Sequence, residues 1–134
     1  MKRAISIGFA ISMAMFSGFA VAAPDAAIPS PVVSLDGDND QTVDISEMGK
    51  AASDSFDKID SDGDGNVDRA ALGKRMSKDE FKKADADKDN VLTKNEYFIY
   101  ADSLLRIADG DKDGTLDDKE FKSKEGKKLL GLIQ

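Results

Sequence analysis

Four segments of this chain place aspartate on alternate residues, turn, and then repeat one order of residue types at fixed distances. They are residues 36–47 (DGDNDQTVDISE), 60–71 (DSDGDGNVDRAA), 85–96 (DADKDNVLTKNE) and 109–120 (DGDKDGTLDDKE), and their starts lie 24, 25 and 24 residues apart. A cation that prefers oxygen takes about six to eight donors, and one short segment supplies that many only by wrapping around the ion. Counting each segment from 1 to 12, the last has Asp109, Asp111 and Asp113 at positions 1, 3 and 5, with Gly114 at the turn. Thr115 follows at 7, Asp117 at 9 and Glu120 at 12, where a carboxylate can give both oxygens. Position 6 needs φ > 0, where Gly costs least. Leu116 at position 8 points away from the ion, toward a core.

The same places are filled three more times. Residues 85–96 offer Asp85, Asp87, Asp89, the Val91 carbonyl and Glu96, with Asn90 at the turn. Residues 36–47 offer Asp36, Asp38, Asp40, Thr42, Asp44 and Glu47, with Gln41 at the turn. Residues 60–71 offer Asp60, Asp62, Asp64, Asn66 and Asp68, with Gly65 at the turn, but Ala71 stands where the closing Glu belongs. Position 8 is aliphatic each time: Val43, Val67, Leu92 and Leu116. These segments resemble the calcium loops of the EF-hand family, and the likeness runs from residue 36 to about 125. It implies an all-α fold, an EF-hand-like array of short helices joined by four 12-residue metal-binding loops. It also implies calcium binding with a buffering or sensing role, as in the small exported bacterial EF-hand proteins that the chain resembles.

The departures from the pattern rank the loops. Loop four (109–120) is complete. Loop three (85–96) has Asn90 at the turn and neutral Thr93 at position 9, so it is expected to be somewhat weaker. Loop one (36–47) carries Gln41 at the turn, at a cost of roughly 1 kcal/mol relative to Gly. Loop two (60–71) lacks the bidentate Glu and is expected to be weak or empty, which leaves three competent sites. All-oxygen ligands disfavour zinc and copper, and a flexible wrap favours calcium over magnesium, a weaker competitor.

Composition narrows the rest. The chain has no Cys and no His, which removes thiol nucleophiles, Ser-His-Asp triads, Cys/His zinc sites and disulfides. Lys2 and Arg3, the apolar run over 4–19 and the small residues Ala20-Val21-Ala22 read as a signal peptide over 1–22. A transmembrane anchor is disfavoured by the serines and glycines of that run, so a periplasmic or secreted location is expected. Of 19 basic and 26 acidic residues the leader removes only Lys2 and Arg3, leaving 17 basic and a net charge of −9. Eighteen of the 26 acids fall at ligand positions, so charge is concentrated in the loops and the metal-free state should be loosened. Nucleic acid is a poor partner for such a chain.

Residues 23–34 hold all three prolines and read as a flexible lead-in, in which Ser30-Pro31 can cap one helical turn, and 35–134 read as one domain. The connections between loops are too short for two helices and a turn. One helix must therefore leave a loop and enter the next. Between loops two and three, Gly73 and the capping box over 77–80 (SKDE) predict a break. Unbroken helices of about 15 residues hold their loops ~22 Å apart, and the expectation is loop one beside three and two beside four. The break gives adjacent loops another route. The tail over 122–134 combines lysines with Leu129, Leu130, Leu132 and Ile133, and is expected to fold back on the core. Two roles compete: a calcium buffer or store, and a sensor that exposes an apolar face to a protein partner. Catalysis is not indicated, because metal ligation accounts for every carboxylate cluster.

Overall fold

Helices stop where the acidic segments begin. In the computed structural model, which describes residues 30–134, the order is α1 (Pro31–Leu35), α2 (Ile45–Ile59), β1 (Asn66–Asp68), α3 (Arg69–Leu72), α4 (Lys78–Ala84), β2 (Val91–Thr93), α5 (Lys94–Ala108), a 3-10 turn (Glu120–Lys122) and α6 (Lys124–Ile133). The expected signal peptide and residues 23–29 lie outside the described residues. Within the remainder of the expected lead-in, Ser30 accepts the Val32 N–H at 3.1 Å, Pro31 fills the first helical position and Val32 is buried. Val32 joins the core and Leu35 packs against it. The Ser30 hydroxyl also donates to Asp118, which ties this stub to loop four.

Single 15-residue helices join loop one to loop two (α2) and loop three to loop four (α5). Each opens with a capping box, Asp44 with Glu47 and Thr93 with Glu96. The middle connection is broken as the sequence predicts. Gly73, at φ 54°, ends α3 with its N–H shared between Arg69 and Ala70 carbonyls, and Ser77 with Glu80 restarts the chain as α4.

That break decides which loops meet. β1 and β2 pair antiparallel with Val67 opposite Leu92, so loop two lies beside loop three. Val43 and Leu116 exchange backbone hydrogen bonds at 3.0 and 2.9 Å, so loop one lies beside loop four. The arrangement expected from unbroken helices, one with three and two with four, is corrected. The turn over 73–77 folds α4 back and brings adjacent loops together, and the outer two then close the ring.

All four position-8 residues are 0–1 % exposed and form the centre of the core. Around them lie Met48, Phe56, Leu72, Phe81, Tyr97, Leu105 and Phe121, with Phe56 and Tyr97 edge to face at 5.5 Å. The tail folds back as α6 against α5 and α2, burying Leu129, Leu132 and Ile133. Its last turn is held from three sides, because the Leu132 carbonyl accepts Ser55 Oγ at 2.9 Å, the Tyr97 hydroxyl at 2.5 Å and Arg75 Nη1 at 3.3 Å. Lys128 on α6 also pairs with Glu80 on α4 at 2.8 Å. No helix among the described residues is long and apolar enough to cross a membrane.

Candidate metal centres

Each loop is folded by its own backbone donating to its own carboxylates. At position 1 one oxygen accepts the position-6 N–H: Gln41 to Asp36 at 2.9 Å, Gly65 to Asp60 at 2.9 Å, Asn90 to Asp85 at 3.2 Å and Gly114 to Asp109 at 3.0 Å. Position 3 accepts from position 5, as in Asp87 from Asp89 at 3.2 Å. Position 5 accepts from position 7: Thr42 to Asp40, Asn66 to Asp64, Val91 to Asp89 and Thr115 to Asp113. The closing Glu spans its loop. In loop four Glu120 Oε1 accepts the Gly110 N–H at 2.7 Å and Oε2 the Asp117 N–H at 3.1 Å. Glu47 and Glu96 make the same pair of bonds to Gly37 and Asp44, and to Ala86 and Thr93.

These bonds gather the acids. Carboxylate oxygens within 4.8 Å of one another come from Asp36, Asp38 and Asp40; from Asp60, Asp62 and Asp64; from Asp85, Asp87 and Glu96; and from Asp109, Asp111 and Glu120. Loops three and four thus bring the closing Glu into the cluster. The position-9 side chains also cap. Asp44 accepts the Ser46 and Glu47 N–H groups, Asp68 that of Ala71, and Asp117 those of Lys119 and Glu120, so each caps the helix or turn that carries position 12. Beside Ala71, loop two leaves a cavity of about 290 Å³ lined by Asp60, Asp62, Asp64 and Asp68.

One set of residues was not read from the sequence. Position 4 is left-handed in every loop as well, at Asn39, Gly63, Lys88 and Lys112. Asn39 and Gly63 carry the signal, being types that tolerate φ > 0, whereas the two lysines hide it.

The gathered carboxylates repel one another. Asp87 is held above the ordinary carboxylate value; the Asp89 N–H lowers it, but lost hydration and the charges of Asp89, Glu96 and Asp85 outweigh that. Asp38 and Asp111 are raised in the same way, against the bonds from Asp40 and Asp113, with Glu47 and Glu120 among the repelling charges. Loop three adds a sharper observation. In the other loops the second oxygen of the position-1 Asp accepts the position-4 N–H. Asp85 Oδ1 is buried with no hydrogen-bond partner. A buried carboxylate oxygen without a partner is costly. A divalent cation held by Asp85, Asp87 and Glu96 supplies that partner and relieves the repulsion, and an all-oxygen donor set fits calcium.

Comparison with known proteins agrees with the chemistry. No curated protein matches the chain in sequence. The family described as "EF hand" matches residues 53–70, 78–97 and 101–123, which take in much of loops two, three and four with their helices. With four acidic loops in register, a helical array and paired position-8 residues, the chain belongs to the EF-hand calcium-binding superfamily.

Proposed function

We propose that this protein is an exported calcium buffer or store whose work is done by the loops themselves. The observation that carries the choice is α6. It lies on α5 and α2 with Leu129 and Leu132 0–1 % exposed, so the chain's own tail occupies the face that a sensor would offer to a partner. Loops three and four are the firm sites, since each gathers its closing Glu with two aspartates. Loop one is a third site, and loop two, without a Glu, is weak or empty. Magnesium competes weakly, because it demands near-ideal octahedral geometry. Export rests on the leader-like start of the chain.

A sensor role is the second reading, favoured by one feature. Ile99 and Ile107 are 60 % and 65 % exposed beside a groove between α4, α5 and α6. Calorimetric titration of calcium and of magnesium into the leaderless chain is expected to give three calcium sites and weaker magnesium binding. No heat on mixing would end the reading. A hydrophobic dye separates the two roles: dye binding that is unchanged or falls with calcium supports a buffer, and a large rise supports a sensor.

A further inference from the structure

Loop four leaves through a 3-10 turn rather than a helix, and α6 begins two residues after it. The two are joined by a contact that only glycine allows. A Cβ on Gly126 would lie 2.3 Å from the Glu120 carbonyl oxygen and 2.6 Å from Phe121 Cα. Both are backbone atoms, so no side-chain rotation relieves the overlap. Phe121, within the turn, is 2 % exposed and belongs to the core. The Glu120 carbonyl also accepts the Ser123 N–H at 3.0 Å, and Ser123 Oγ accepts the Gly126 N–H at 2.9 Å, closing a short circuit around the start of α6. We propose that Gly126 is a positioning residue for calcium at loop four: it lets α6 seat on the backbone of Glu120 and so fixes the direction of that carboxylate. This rests on the reading of loop four as a calcium site.

The test is a calcium titration of the leaderless protein followed by two backbone amides. Gly114 N–H, bonded to Asp109, reports on loop four, and Asn90 N–H, bonded to Asp85, reports on loop three. In Gly126→Ala the calcium needed to half-saturate the Gly114 signal should rise about tenfold, as expected when a ligand's aim is lost. The Asn90 midpoint should move by less than about twofold. Gly131→Ala is the control, since a Cβ there meets nothing within 4 Å, and both midpoints should hold. Ser123→Ala frees the first turn of α6 without adding bulk, and should weaken loop four alone by about threefold; it decides the matter should Gly126→Ala not fold. An unchanged Gly114 midpoint in the folded variants overturns the proposal, as does equal weakening of both loops, which marks a purely structural role. A wild-type Gly114 amide that ignores calcium removes the reading of loop four itself, and the proposal with it.

Discussion

Gln41 stands at φ 73°, at the position that the other loops give to Gly65, Asn90 and Gly114. A long side chain there loses energy in the left-handed region that Gly does not lose, while its N–H bond to Asp36 would survive replacement. Gln41→Gly is therefore expected to stabilise the protein by about 1 kcal/mol and to tighten loop one. Thermal melts with and without calcium check it, and a lowered midpoint in both would contradict it. Ala71 is the opposite case, where a missing side chain leaves a gap. In the other loops the closing Glu accepts from positions 2 and 9, and the corresponding Ser61 and Asp68 amides are present in loop two. Ala71→Glu should add one bound calcium in calorimetry. Unchanged stoichiometry would contradict the ranking of loop two as weak for want of a Glu.

At the scale of elements, the interrupted connection is held to the tail by charge. The Glu80 carboxyl is drawn from an ordinary 4.5 down to about 2, chiefly by its bond to Lys128, helped by Ser77. A carboxyl whose value falls on folding stabilises the fold fully above about pH 4.5, and that share is lost as pH drops from there toward 2. Glu80→Gln should cost about 1–2 kcal/mol at neutral pH, solvent around Lys128 having reduced the pair's worth. Its melting point in chelator should converge with that of the wild type as pH falls through this window. A constant gap would show that the bond matters for its shape and not its charge. The Ser77–Glu80 cap was legible in the sequence because both partners lie within one turn. Arg75, Ser55 and Tyr97 were not legible as a group. They meet on the Leu132 carbonyl from separate elements, and nothing local marks them.

For the whole molecule, the loop pairs matter more than the number of loops. The periodic aspartates gave four loops directly, but their pairing depends on where a helix breaks and on how α6 closes the structure. Loop four shares the Val43–Leu116 bridge with loop one, and loop three shares the β1–β2 ladder with loop two. Each pair thus joins a loop that gathers its closing Glu to one that departs from the pattern, at Gln41 in one case and Ala71 in the other. Ordering one loop fixes the strand that its neighbour needs, so binding within a pair should be coupled, and coupling is reciprocal. Glu47→Gln should weaken loop four by roughly fivefold, and Glu120→Gln should weaken loop one by the same factor. The Gly114 and Gln41 amides read these effects, and the Asn90 amide of the other pair should hold still. If Asn90 shifts as far as its counterparts, the coupling runs through the common core instead. In that case α6, which packs on both long helices, is the element that carries it.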